Sequence, residues 1–445
     1  MFSLSKYVTN NGGVDYLLLH PSHYLMGDYA SCNTTCVNYN NKIILNTRLV
    51  NYSKLFQTKT NALFNDENSQ FYVMPYWGYD SHNVTAILQN QQLTNIKKSL
   101  YERGNYICNF NGFEDCKYVV WDEKLYAYGT RWDLSGNIGQ IVIYEIDENM
   151  QPKNELIVQS PIGMSCEKNW GAIPDKPFHF IYNITPNQVV KVNQDGTSEI
   201  IGEYSSVITE PNLRGNCPLV KIDGIGYITF THKHCLNDSD NFIQLNYYHS
   251  LVLYNFNMEI IGKTPWFTFQ DGSCEFTCGM CLKDDKLIIS YSQYDCTVNI
   301  IEVPVSVIMG LFNYNDIDLL EQYKITNLQD YYYNLGKLFE ENDHIRSSAT
   351  MHNLFLLNTE DFSDEKVKII VIKFLQFLCD KILVMNSIVY NNYIRYFIQY
   401  IKCRINNFNE LNYFINILNK YDKIPLITNE KDLKLKNSLH KFTIF

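Results

Sequence analysis

Five stretches of the chain repeat one short pattern, and that repetition restricts the available folds more than any other feature. Each is an apolar strand, a tight turn of Asp, Asn, Gly or Lys, and a second strand rich in Tyr, Phe or Ile. They are Cys36–Val50, Tyr118–Arg131, Trp170–Val190, Pro218–His232 and Cys281–Tyr294. Two apolar runs joined by such a turn make a β-hairpin. Hairpins recurring roughly every 45 to 80 residues mark a radial repeat, in which each unit supplies one small sheet around a shared axis. The expected fold is mainly β, a five-bladed β-propeller over residues 1–312. Function then belongs to the axial pocket where the blades converge.

The rest of the chain has a different periodicity. After Val305 the hairpins stop, and from Ile317 onward Leu, Ile, Phe and Tyr recur at three-to-four spacing, as in Lys366–Met385 and Asn391–Ile401. This predicts a helical C-terminal domain over residues 313–445 whose apolar stripe packs on a core or recruits a protein partner. Residues 51–102 are polar and carry Tyr72, Tyr76, Trp77 and Tyr79, which suggests irregular strands and the loop that closes one blade. With 445 residues, 46% of them apolar and 19% charged, the chain is globular and long enough for two domains.

Charge and cysteine content narrow the function classes. A net charge of −10, from 37 basic against 47 acidic residues, argues against nucleic acid or an anionic membrane as the main partner. The most apolar run, Lys368–Met385, is broken by Lys373, Asp380 and Lys381 and does not span a bilayer. The N-terminus lacks a basic segment followed by an apolar core, so a cytoplasmic chain without a signal peptide is expected. Thirteen cysteines, an odd number, favour reduced thiols. Heavy use of Asn, Ile, Tyr and Lys points to an AT-rich genome, such as that of a protist or a large DNA virus.

Candidate chemistry clusters at the hairpin ends. Glu114 and Asp115 stand just before an inner strand, where a carboxylate can face the axis, and Thr130-Arg131-Trp132-Asp133 closes the same hairpin. An Arg beside an aromatic ring suits an anion or a sugar face. The next units place Glu167-Lys168-Asn169-Trp170, Arg214-Gly215-Asn216 and Thr231-His232-Lys233-His234 at equivalent ends. Cys278-Gly-Met-Cys281, with Cys274 nearby, has zinc-knuckle spacing, but no second pair matches it, so buried thiols and no metal are expected. No phosphate-binding Walker loop, GxGxxG or Gly-x-Ser-x-Gly is present.

Taken in order, nine motifs resemble those of the five-bladed propeller enzymes of glycoside hydrolase family 130, phosphorylases and hydrolases of β-mannosides, and of related propeller domains attached to bacterial glycosyltransferases. The resemblance covers about residues 30–310. It rests on Asn33-Thr-Thr-Cys with Asn46-Thr-Arg48-Leu-Val-Asn-Tyr, Phe113-Glu-Asp-Cys-Lys117, Thr130-Arg-Trp-Asp, Glu167-Lys-Asn-Trp170, Arg214-Gly-Asn-Cys-Pro-Leu, His232, Tyr247-Tyr-His249, Glu275-Phe-Thr-Cys-Gly-Met and Ile289-Ser-Tyr-Ser-Gln-Tyr-Asp295. It implies Asp115 as proton donor, acting through a sugar hydroxyl. It also implies a polar pocket of Arg48, Arg131, Lys168, Asn169, Arg214, His232 and His249, with Trp170 and Tyr248 stacked on sugar rings. The Pro-Arg that follows Glu-Asp in the family is Cys116-Lys117 here, and the arginine expected after the second strand of that hairpin is replaced by Gly139-Gln140-Ile141; Arg131 is the substitute.

The expected activity makes or cleaves a glycosidic bond to mannose or a similar hexose. No cofactor is implied, and inorganic phosphate, a sugar phosphate or a sugar nucleotide is the co-substrate. For an inverting hydrolase, a second carboxylate about 6.5 to 9.5 Å from the acid would be Glu275 or Asp295. The alternatives are a catalytically inactive glycan-binding module and a structural propeller with an unused axial hole.

Overall fold

The computed structural model describes residues 2–18, 30–50, 79–101, 110–132, 138–215, 217–238, 243–270, 274–293, 295 and 297–314. Of the expected helical domain at 313–445, residues 315–445 lie outside the described residues, as do 51–78 and 102 of the polar stretch at 51–102. The chain begins with β1 (Phe2–Ser3), α1 (Leu4–Asn10) and β2 (Val14–Leu17). The first sheet follows, with β3 (Ala30–Tyr39), β4 (Lys42–Val50), β5 (Tyr79–Gln89), β6 (Gln92–Ser99) and β7 (Phe110–Asn111). The second holds β8 (Phe113–Trp121), β9 (Lys124–Trp132), β10 (Gly139–Ile146) and β11 (Pro152–Ile157). The third holds β12 (Gly171–Ala172), β13 (His179–Asn183), β14 (Gln188–Val192) and β15 (Ser198–Glu203). Then come β16 (Arg214–Gly215), β17 (Val220–Ile222), β18 (Gly226–Asp238), β19 (Ile243–Tyr254), β20 (Ile260–Lys263) and β21 (Phe267–Thr268) in a fourth sheet. A fifth is built on β22 (Glu275–Lys283), β23 (Lys286–Gln293) and β24 (Asn299–Pro304), and α2 (Val305–Gly310) follows it.

The molecule is mainly β, with its sheets in a propeller-like arrangement. The expected five-bladed propeller requires a correction: four regular blades are present among the described residues rather than five. Four sheets contain a four-stranded antiparallel path, but the fourth in sequence is a seven-stranded mixed sheet in the order β1-β21-β19-β18-β16, with β17 and β20 off that path. Proline explains its breaks. Pro218 stands between β16 and β17, and Pro265 between β20 and β21, and a residue without an N–H interrupts a ladder.

Tight turns set the hairpins. Asn40-Asn41, Asn90-Gln91 and Asp122-Glu123 each have both φ values positive, between 46° and 62°. That is the twist-matched turn that two-residue hairpins favour, and Asn and Asp tolerate it best. Alternation along the strands then buries one apolar row per face, and each core cluster joins neighbouring sheets. Phe113, Tyr118 and Tyr144 pack with Val37 and Ile44 between the first two sheets. Trp121 and Tyr128 meet Trp170 and Phe180 between the next two. Ile181 and Val189 meet Tyr227, Val252 and Tyr254, Phe230 and Leu251 meet Leu287 and Ile289, and Ile288 and Ile300 return to Ile43 and Leu45.

The N-terminus closes the ring, which the repeats did not foretell. β2 supplies the last strand of the fifth sheet by pairing antiparallel with β24, from Val14 opposite Glu302 to Leu17 opposite Asn299. β1 pairs parallel with β21. Between them α1, capped by the Ser3 hydroxyl at Lys6 N, buries Leu4, Tyr7 and Val8.

Candidate functional site

Three inner strands break register once each. The shift lies between Cys32 and Thr35 in β3, between Glu114 and Lys117 in β8, and between Phe276 and Gly279 in β22. Such bulges re-aim a side chain out of the sheet's alternation. Asn33 (φ 44°) and Asp115 (φ 49°) are the left-handed residues of the first two, and Asn and Asp bear that conformation at least cost among side-chain-bearing residues. β22 and β3 approach so closely that a Cβ on Gly279 would lie 2.3 Å from Cys36 N.

The bulges bring a carboxylate and its partners together. Asp115 Oδ1 accepts from Asn33 Nδ2 at 2.9 Å and from Arg48 NH1 at 3.3 Å, while Arg48 NH2 donates to Glu114 Oε1 at 2.7 Å. Ser292 Oγ donates to Asn33 Oδ1 at 2.8 Å, which turns the amide's N–H toward Asp115. Asp115 Oδ2 takes no hydrogen bond among the described residues, and the side chain keeps 17% exposure. Burial would raise this carboxyl, but the charges of Arg48, Lys117 and Lys168 and the Asn33 amide outweigh it and hold it below its ordinary value.

The cations reach the site from the neighbouring sheets. Glu167 is buried, its carboxylate accepting from Ser160 Oγ, Tyr182 OH and Trp170 Nε1, its N–H bonded to Gly139 O and its carbonyl to Thr130 Oγ1. So anchored, the loop leaves Lys168 near enough to act by charge on Asp115, His232 and His234. Arg214 stands opposite His232 in the β16–β18 pair, and His232 stands opposite His249 in the β18–β19 pair. Burial, then His249, His234, Arg214 and Lys168, push the His232 imidazole well below its usual range, so it is neutral. The structure therefore brings Arg48, Asp115, Lys168, Arg214, His232 and His249 into one region, with Asn169, left-handed at φ 65° and carrying an Oδ1 without a hydrogen bond among the described residues, beside Lys168.

Other expected residues are placed elsewhere. Trp170 is 1% exposed and packs against Phe180 and Tyr182 in the core between the second and third sheets, so its ring is not presented to a sugar. Tyr248 packs on the core between the third and fourth sheets, because side chains alternate along β19; it is Tyr247 that lies against His232, His234 and Phe276. Arg131 holds Glu155 with both terminal nitrogens, at 2.5 and 3.0 Å, and donates to Tyr144 OH, which turns its guanidinium toward β10 and β11. Glu275 is fully buried, and its oxygens accept the amides of Phe269 and Gln270 at 2.5 and 2.8 Å. Asp295 is 3% exposed with φ 53°. Cys274, Cys278 and Cys281 are buried, and no group of three metal-binding side chains occurs among the described residues.

Sequence reasoning missed Asn33, Lys117 and Tyr247 as site residues. The signal for Lys117 was a basic residue two positions after Asp115 on the same strand. Tyr247 needed the phase of β19, which its alternating His-x-His partner strand could have supplied.

The buried histidines give a pH prediction. His249 is wholly buried, its Nε2–H donating to Glu275 O at 2.9 Å, and burial lowers its pKa to about 4, against the opposing effect of that bond. Unfolded, it takes a proton near 6.5, so between these values the unfolded state holds more protons. Stability is thus full above about pH 6.5 and falls toward pH 4 by on the order of 3 kcal/mol from His249 alone. His82, also lowered to about 4, adds in the same direction. Urea midpoints at pH 7.5 and 5 are expected to diverge in wild type and to diverge less in His249→Gln, the remainder coming from His82 and His232; equal pH slopes in the two proteins would refute the assignment.

Neither a protein-family model nor a curated protein matches the chain. Among solved structures it is similar to a β-1,2-mannobiose phosphorylase from Listeria innocua, at 13% identity over 65% of this chain and 94% of the other, with a TM-score of 0.44. It is also similar to a structure described under the GH130 family of mannoside phosphorylases containing hydrolases that target β-1,2 mannosidic linkages in Candida mannan, at 12% identity over 62% and 85%, TM-score 0.42. A third is MPT-4, a mannose phosphorylase from Leishmania mexicana in complex with phosphate ion, at 12% identity over 68% and 91%, TM-score 0.41. At these values the likeness assigns neither family nor activity to this chain.

Proposed function

We propose that this chain is a carbohydrate-active protein that makes or cleaves a glycosidic bond of mannoside type in the axial pocket of a five-bladed propeller spanning residues 1–312, the seven-stranded sheet being the fifth blade, with Asp115 as proton donor. The observation that carries this reading is the bulged carboxylate, pinned at Oδ1 by Asn33 and Arg48 and open at Oδ2. A proton donor needs a fixed orientation and one oxygen within reach of the leaving group. Burial would raise the Asp115 carboxyl, but nearby cations outweigh it and favour the ionised form. A phosphate or sugar phosphate beside Lys168 and Arg214 would offset that charge and favour the protonated acid, which a sugar hydroxyl then relays to the leaving oxygen. This favours phosphorolysis or transfer over hydrolysis. It also fits Glu275, whose two oxygens are committed to amides, leaving Asp295 as the candidate to activate water.

A second reading, a catalytically inactive glycan-binding module, draws support from a specific observation. Arg131 is held by Glu155 and Glu275 by backbone amides, so two groups expected in the pocket brace the sheets instead. The deciding experiment incubates wild type and Asp115→Asn with mannose 1-phosphate, glucose 1-phosphate or GDP-mannose and simple sugar acceptors, reading product by mass spectrometry. Product from wild type that falls at least about a hundredfold in the variant is the expected result. No product from either, with sugar still bound, would replace the enzyme with the binding module.

A further inference from the structure

The bulge that presents Asp115 creates a structural problem that one residue solves. With the β8–β9 register broken between Glu114 and Lys117, Asp115 and Cys116 have no partners in the β8–β9 ladder, and the bulge is left to be held by other groups. Lys117 folds back and donates to that carbonyl from Nζ at 3.0 Å. Its side chain is 2% exposed, and no carboxylate lies within ion-pair distance of it among the described residues. Its remaining support is the ring of Tyr128, directly opposite on β9, with the centroid 5.9 Å away. A buried ammonium without a counter-ion is costly, so a position that tolerates one marks a charge with a task.

We infer that Lys117 is a positioning residue for Asp115: its amino group fixes the left-handed bulge through the carbonyl and brings its charge to bear on the carboxylate. The inference rests on the reading of Asp115 as proton donor, but its test does not. A lysine is a point charge with a single flexible reach, and here it is directed back at its own strand. The groups facing Asp115 are Arg48 from β4, Asn33 from β3, Lys168 from the loop before β12, the Cys278 thiol from β22, and Glu114 and Cys116 on its own strand. Of the cations, Arg48 already shares its charge with Glu114, whereas Lys117 has no such competitor.

The test is the titration of the Asp115 carboxyl itself, followed by carbon NMR in full-length protein labelled at the aspartate carboxyls, with Asp115→Asn identifying the resonance. Lys117→Met removes charge and hydrogen bond; Lys117→Gln removes charge but keeps a donor; Lys117→Arg keeps both. The expected result is a rise in the Asp115 midpoint of roughly one pH unit in the methionine and glutamine variants, and no rise with arginine. If the methionine variant does not fold, the glutamine variant carries the same expectation. A midpoint unchanged in a folded neutral variant overturns the inference. Because the readout needs no turnover, silence in the sugar assay with a shifted midpoint would sink the proposed activity and leave the role of Lys117 standing.

Discussion

Removing residues 1–17 is expected to abolish cooperative folding. The segment supplies the closing strand β2, and it contributes Phe2, Leu4, Tyr7 and Val8 to the core shared with Phe230, Leu251, Leu287 and Ile289. Burial of such side chains is worth about 1.5 to 3 kcal/mol each, so four account for roughly 6 to 12 kcal/mol. That is comparable with the whole stability of an ordinary domain, about 5 to 15 kcal/mol. The loss also exposes β24, a paired strand made into an edge, and bared edges associate with one another. Circular dichroism melting and light scattering of the truncated chain should show no sharp transition and growing aggregates. A cooperative melt within about 5 °C of wild type would show that the ring closes without its N-terminal strand.

Replacing Glu275 with alanine is expected to cost about 3 to 5 kcal/mol, because the amides of Phe269 and Gln270 would be buried without acceptors. The same carboxylate receives Gln293 Nε2 at 3.4 Å, and its own carbonyl holds His249 Nε2. One residue thus ties the segment after β21, strand β23 and strand β19 to the start of β22. Urea denaturation measures the loss, and Glu275→Gln should fall between alanine and wild type, since one oxygen remains to accept. The outcome also judges Glu275 as a catalytic carboxylate. A glutamine variant as stable as wild type but inactive on sugars would restore it to the chemistry.

The hairpins were legible because their turns use Asn, Asp, Gly and Lys between strongly apolar strands. Asp122-Glu123 and Asn40-Asn41 fall where the repeat requires them. The hairpin of β5 and β6 was not legible. Its outer strand, Gln92–Ser99, is largely exposed and reads as polar, so nothing in it alternates, and its turn is Asn90-Gln91 without glycine. Closure by β2 was hidden for another reason: pairing over nearly three hundred residues leaves no local trace in Val14–Leu17. At the site, residue types were easier to identify than directions. Lys168 and Arg214 lie near enough to His232 to act on it by charge. Trp170, Tyr248, Arg131 and Glu275 have suitable chemistry but point into cores, along a sheet or at backbone amides, and orientation is set by strand phase and by partners remote in sequence.

The bulges in β3, β8 and β22 also bear on how such a molecule can change. A residue within a ladder is bound to its opposite number, and shifting it would move every side chain beyond it to the wrong face. Asn33 and Asp115 are released from that bookkeeping by the register breaks beside them. Their side chains can be exchanged among residues that accept the left-handed conformation while the hydrogen-bonded strands on either side continue undisturbed. On the proposed function, the positions that would meet a substrate and those that hold the ring together are consequently different letters of the same strands. A lineage could exchange one chemistry for another at the axis without renegotiating its fold.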